Sequence, residues 1–278
     1  MHDRIGPYVI ERPLGEGSAA TVYLGRREWD GTAVAIKILR PELAGDPSFR
    51  RRFIHEARTA AEVRHPNLVP ILDEGESDGL VFLALAYASA GSLAAKIERE
   101  GRLSLAETVG VAADVAGGLE ALHAAGIIHR DVKPSNVVMM DDGRAALTDF
   151  GLAKGPQHTA LTTMGRLLGT MAYLAPERIS GHEATVASDI YAFGCLIYEC
   201  LAGASPFASA TMYQLAFAQL HSEPASLRQI RDDVSVQLDE TVLSALAKSP
   251  EARPATAQIF AQRLTGAADP LHSMTEQQ

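Results

Sequence analysis

The hydrophobic period changes once along this chain, close to residue 90, and that change narrows the fold more than any other feature. Ahead of it, apolar residues alternate or run in short blocks: Thr21-Val22-Tyr23-Leu24, then Ala33 to Ile38 after the turn signal Asp30-Gly31, then Val69 to Asp73 and Leu80 to Leu85. Short runs of this kind, rich in β-branched residues and bounded by turn signals, predict strands. One helical interruption is expected from Phe49, Phe53, Ala57, Ala60 and Ala61, ended by His65-Pro66-Asn67. Beyond Gly91 the spacing turns helical, with segments at Leu105 to Ala125, Ile190 to Ala202, Met212 to His221 and Leu238 to Ala247. Strands followed by helices predict an α+β fold in two lobes, joined near Tyr87 to Ser92.

Length and charge exclude several alternatives. The 278 residues allow about two compact units at roughly 150 residues each. With 47% hydrophobic and 21% charged residues, the chain can bury a full core. Its 25 basic and 34 acidic residues give a formal charge of −9, which argues against a protein that holds nucleic acid by neutralising phosphates. The uncharged stretches Gly79 to Ala95 and Cys200 to Leu220 are long enough to raise the question of membrane spans. Both carry too many polar residues for hydrocarbon, so both are expected to be core, with no membrane span in this chain. Met1 to Arg12 has no apolar run resembling a signal peptide. Cys195 and Cys200 match neither a zinc pair nor a CxxC motif, so they are expected to be buried packing residues in a reducing, cytoplasmic setting.

Three local patterns carry chemistry. Gly15-Glu16-Gly17-Ser18-Ala19-Ala20 fits GxGxxA, a weak signal shared by two nucleotide-binding folds and by ordinary hairpins. The strand-like residues after Ala20 disfavour a dinucleotide fingerprint, which needs a helix there, and no Gly-Lys-Ser/Thr follows to make a P-loop. Lys37 is a single ammonium in the apolar run Val34-Ala35-Ile36-Lys37. It either snorkels to solvent or needs a counter-charge, for which Glu56 on the following helix is the candidate. The third pattern is His129-Arg130-Asp131-Val132-Lys133-Pro134-Ser135-Asn136, followed by Asp149-Phe150-Gly151 and Ala175-Pro176-Glu177.

In their order and approximate spacing, over residues 8 to about 264, these motifs resemble those of eukaryotic-type (Hanks-type) Ser/Thr protein kinases, and the short inserts resemble bacterial members. The resemblance implies a bilobal protein-kinase fold. A small β-rich N-lobe with one main helix would cover residues 1–87 and a larger, mainly helical C-lobe residues 88–266. The hinge would lie at about 86–91, and 267–278 would be a disordered polar tail. It also implies transfer of the γ-phosphoryl group of ATP, with Mg2+ or alternatively Mn2+, to Ser or Thr hydroxyls of protein substrates, including autophosphorylation. A catalytically silent nucleotide-binding scaffold is the alternative. The expected oligomeric state is a monomer or weak homodimer.

Roles transfer residue by residue on the same resemblance. Asp131 would take the substrate proton, Lys133 would touch the γ-phosphate, and Asn136 and Asp149 would ligate the metal. Lys37, paired with Glu56, would orient phosphate oxygens beneath the loop of Gly15 and Gly17. Leu14, Val22, Ala35 and Val138 would form the adenine slot, with backbone groups of Ala86 and Ala88 beside it and Leu85 at its back. Thr170 would fix the substrate loop, Asp189 the catalytic-loop backbone, and Glu177 would pair with Arg253. His129 and Phe150 resemble packing residues. The sequence departs from the family pattern at Ala20, where a third glycine is common, and at Ala86, where an acidic residue is common. Arg130 with Lys154 and Arg52 would hold a phosphate on Thr162 or Thr163.

Overall fold

The computed structural model describes residues 3–17, 19–150, 169–207 and 211–268. These form two compact units. The first comprises the chain up to Arg64 together with Leu68–Ser89, and the second comprises His65–Asn67, Ala90–Phe150 and the described residues from 169 onward.

The first unit is an antiparallel six-stranded sheet with one main helix. Its strands are β1 (Arg4–Ile5), β2 (Tyr8–Glu16), β3 (Ala20–Arg27), β4 (Ala33–Leu39), β5 (Ile71–Ser77) and β6 (Leu80–Ala86), in the order β1-β2-β3-β4-β6-β5. Side chains alternate across a strand, and β4 shows the consequence. Val34, Ile36 and Ile38 enter a core with Ile5, Tyr8, Phe82 and Ala84, which leaves Ala35 and Lys37 on the opposite face. After the short helix α1 (Pro41–Ala44), helix α2 (Pro47–Glu62) starts at Asp46, whose carboxylate accepts the amides of Ser48 and Phe49, with Pro47 at the first position. Its buried stripe is Phe49, Phe53, Ala57 and Ala60.

Strand β5 lies further along the chain than its apolar residues suggest. Leu68 and Val69 are buried without being strand, because Pro70 follows with no amide to give and its carbonyl accepts the Ala86 N–H at 3.0 Å. The strand starts beyond it and runs through polar residues to Asp78-Gly79, where φ values of 51° and 76° suit a tight two-residue hairpin turn.

The second unit is mainly helical: α3 (Leu93–Glu100), α4 (Leu105–Ala124), α5 (Pro176–Ile179), α6 (Val186–Ala202), α7 (Met212–His221), α8 (Val236–Ala245) and α9 (Ala257–Ala268), with a small antiparallel hairpin of β7 (Val137–Met139) and β8 (Ala145–Leu147). Helix α6 is its axis, with an almost unbroken run of buried residues from Ser188 to Leu201. It begins earlier than its apolar run because Thr185 and Ser188 form a reciprocal cap around the first turn. Cys195 and Cys200 are buried within it, and burial pushes both thiols up. Among the described residues no helix is long and apolar enough to cross a membrane.

Gly203 ends α6 at φ 80°, where an added Cβ would stand 2.2 Å from the Gly101 carbonyl oxygen. Gly203→Ala should therefore cost more than the roughly 1–2 kcal/mol of left-handed backbone alone, read as a lowered denaturation midpoint at unchanged slope. A loss below about 0.5 kcal/mol, the range of an ordinary surface change, would contradict the close approach.

Candidate active site

The segment His129 to Asn136 joins α4 to β7, and a buried carboxylate fixes it. Asp189, 1% exposed in the first turn of α6, accepts the backbone amides of His129 at 2.8 Å and Arg130 at 2.9 Å. His123 Nε2 lies 2.9 Å from the same carboxylate. A buried carboxylate is stable only with such partners, and they hold Arg130 at φ 69°, a region few non-glycine residues occupy. His129 is buried and packs edge-on against Phe150, with ring centroids 6.3 Å apart. The backbone-holding role expected of Asp189 and the packing role expected of His129 and Phe150 are thus both visible.

Asp131 is the centre of the polar cluster that follows. Lys133 Nζ lies 3.0 Å from Asp131 Oδ2, and Asn136 Nδ2 donates to the same oxygen at 2.8 Å and to the Asp131 main-chain oxygen at 2.8 Å. Lys133 Nζ also donates to Thr170 Oγ1 at 3.2 Å, which links this loop to the chain ahead of α5. A small, partly open hollow of about 20 Å3 lies here, lined among others by Arg130, Asp131, Thr170, Tyr173, Arg178 and Ser188. Burial and the neighbouring Glu199 carboxylate push the Tyr173 phenol up, and its hydroxyl donates to Glu199.

Asn136 and Asp149 can be tested as metal ligands from their own contacts. With the Asn136 amide nitrogen directed at Asp131, the carbonyl oxygen is the atom it presents. Asp149 is held at φ 64°, just after Thr148, whose amide donates to the main-chain carbonyl of Asn136 at 2.9 Å. One amide and one carboxylate oxygen suit a hard cation that completes its shell with phosphate and water. Among the described residues no group of three or more His, Cys, Asp or Glu surrounds a metal position, so a cage of protein ligands is not offered there.

The remaining candidates stand on the sheet unit. Val22, Lys37 and Leu83 lie opposite one another across β3, β4 and β6, and Leu24, Ala35 and Leu85 form the next row. Directly paired residues share a face, so Val22, Ala35 and Lys37 line one surface, away from the Ile36 core. Leu14 and Gly15 are on β2, with Gly15 opposite Val22. Gly17 lies in the loop between β2 and β3, where its amide donates to the Ala20 carbonyl at 2.7 Å. Ala20 opens β3 and is 1% exposed, so the third small residue serves as strand. Glu56 is half-buried on α2, Ala86 ends β6, and Ala88 follows it. Val138 is on β7 in the helical unit, opposite Ala146. Lys154, Thr162 and Thr163 lie outside the described residues; Arg52 is exposed on α2 with its guanidinium over the Phe49 ring.

Glu177, within α5, and Arg253 form the expected pair, with the two terminal guanidinium nitrogens each 2.7 Å from a carboxylate oxygen. Three residues of this region were not singled out from sequence. His123 ends an Ala-rich helix and gives no pattern of its own. Asn67 donates to Asp114 at 2.8 Å and to the Ala145 carbonyl at 3.0 Å, while its own carbonyl accepts the Leu147 amide. Gln219 is a fully buried amide on α7, and its only signal is a polar residue four places after Leu215 on the inward stripe.

Comparison with known proteins points one way. The protein kinase domain family matches residues 8–265. The chain is 37% identical over 263 residues to a probable serine/threonine-protein kinase, pknA2, of Bifidobacterium longum, spanning 94% of this chain and 35% of that protein. It is 38% identical to the serine/threonine-protein kinases PknH and PknE of Mycobacterium tuberculosis, over 91% of this chain and 40% and 44% of theirs. The chain therefore spans roughly two-fifths of the length of the curated relatives it matches. The crystal structure of the Mycobacterium tuberculosis PknI kinase domain is similar at a TM-score of 0.76 and 29% identity, covering 96% of this chain and 100% of that one.

Proposed function

Because the chain belongs to the protein kinase domain family, whose members use ATP and a divalent metal ion, we propose that it transfers the γ-phosphoryl group of ATP, as its magnesium complex, to Ser and Thr hydroxyls of proteins. The observation that carries this reading is the convergence of Lys133 and Asn136 on one oxygen of Asp131, with Lys133 also reaching Thr170. Phosphoryl transfer asks for positioning and charge neutralisation. Asp131 orients the acceptor hydroxyl and takes its proton. Lys133 stays beside the migrating charge, and Thr170 keeps that ammonium in place.

Asn136 and Asp149 hold the magnesium ion, which supplies charge neutralisation at the phosphates when bound. Lys37, paired with Glu56, steadies phosphate oxygens. The loop of Gly15 and Gly17 covers them, and Leu14, Val22, Ala35 and Val138 with the backbone of Ala86 and Ala88 receive the adenine. Residues 1–87 and 88–266 are the N- and C-lobes. The setting is cytoplasmic, the acceptors are proteins, the protein acts as a monomer or weak homodimer, and Thr162 or Thr163 carries an activating phosphate read by Arg130 and Lys154.

Incubation with γ-labelled ATP and magnesium should place label on Ser or Thr of an acceptor protein, and a chelator should stop it. Mass spectrometry of the same incubation should locate phosphate at Thr162 or Thr163. Label on tyrosine alone, or none, would overturn the assignment; a phosphate-free, fully active 151–168 segment would remove the regulatory part.

A further inference from the structure

Helix α7 buries Leu215 and Gln219 while exposing Tyr213 and Phe217, so its inward stripe contains a neutral amide where an apolar residue would fill the space at less desolvation cost. Gln219 is 0% exposed. Its Nε2 donates to two successive carbonyls, Met171 at 3.2 Å and Ala172 at 2.7 Å, and its Oε1 accepts the Tyr191 hydroxyl. Two donors aimed at adjacent peptide planes fix both of them, and the Tyr191 hydroxyl decides which end of the amide faces that way. Tyr191 is itself held, with the Arg253 guanidinium 4.9 Å and the Lys248 ammonium 5.9 Å from its ring centroid. Lys248 Nζ also lies 4.3 Å from the Phe207 ring centroid and donates to the Ala218 carbonyl at 3.4 Å. The same short segment is tied to Lys133 through Thr170 at one end and to Arg253 through Glu177 at the other.

We propose that Gln219 is a positioning residue for the protein acceptor: through the Met171 and Ala172 carbonyls it sets the backbone beside Thr170, and so the surface on which the acceptor peptide lies next to Asp131. This rests on the reading of the Thr170 segment as the substrate loop. The residue acts through the backbone and touches neither nucleotide nor metal.

The test uses Gln219→Met, which keeps length without hydrogen-bonding hydrogens, and Tyr191→Phe, which keeps the ring and removes the hydroxyl. The acceptor is a peptide with a single threonine, selected on the wild-type protein. Gln219→Met should raise the peptide KM about tenfold, a loss typical of buried hydrogen bonds. The KM for ATP and the slow hydrolysis of ATP without peptide should stay within twofold. Tyr191→Phe should move the peptide KM the same way by less. An unchanged peptide KM in Tyr191→Phe and in any folded Gln219→Met protein would overturn the inference, as would equal losses of peptide transfer and ATP hydrolysis. Should Gln219→Met fail to fold, Tyr191→Phe decides alone. Wild-type protein that hydrolyses ATP yet labels no peptide would instead sink the functional reading, and this inference with it.

Discussion

Replacing Asp131 with Asn should lower kcat for phosphoryl transfer by about two to four orders of magnitude, the range general-base catalysis supplies, with little change in melting temperature. The asymmetry follows from the contacts. Lys133 and Asn136 both address Asp131 Oδ2, and an amide oxygen can take that place with nearly the same shape, so the loop keeps its geometry. What the amide lacks is a basic oxygen for the acceptor proton. The KM for ATP should change far less than kcat, because Asp131 meets the acceptor rather than the nucleotide in the proposed arrangement. Steady-state rates with a threonine peptide, alongside thermal melts, provide the check. A rate within tenfold of wild type in a folded Asp131→Asn protein would remove Asp131 as the base.

The second large effect is on stability. Arg253, with its side chain 0% exposed, donates five hydrogen bonds: two to Glu177 and one each to the carbonyls of Ala187, Ala247 and Lys248. Removing one partner of a buried ion pair leaves the other charge uncompensated, at about 3–5 kcal/mol. Arg253→Met should fall in that range and lower the melting temperature by roughly 10 °C, at ~2–4 °C per kcal/mol for a chain of this size. Three main-chain carbonyls also lose their donor, so the lower end of the range is the minimum expected. A loss under about 1 kcal/mol by chemical denaturation would show that solvent reaches Glu177 and compensates it.

The parts legible in sequence are those fixed by local pattern. The apolar run after Asp30-Gly31 marked β4 and singled out Lys37 within it, Met212 to His221 read as a helix with the observed bounds, and the contiguous run from His129 to Asn136 marked the cluster around Asp131. The parts that escaped are set by partners distant in the chain. Pro70 displaces the start of β5 because its carbonyl meets Ala86, which apolar content could not reveal. Helices α3 and α9 went unread, α9 because its face is built of Ala with only Phe260 and Leu264 as large residues. The left-handed backbone at Arg130 is imposed from outside, by Asp189, and an arginine does not announce it. Gln219 matters through two carbonyls nearly fifty positions earlier, a distance over which no periodicity speaks.

Residues His65–Asn67 are flanked on both sides by chain of the sheet unit yet fold with the helical one, where Asn67 joins Asp114 to the hairpin of β7 and β8. A chimera that grafts another kinase's first ninety residues onto this protein would thus replace a piece of the recipient's own interior. The donor must bring an asparagine with the same reach, or the graft must keep these three native residues as an island within foreign sequence.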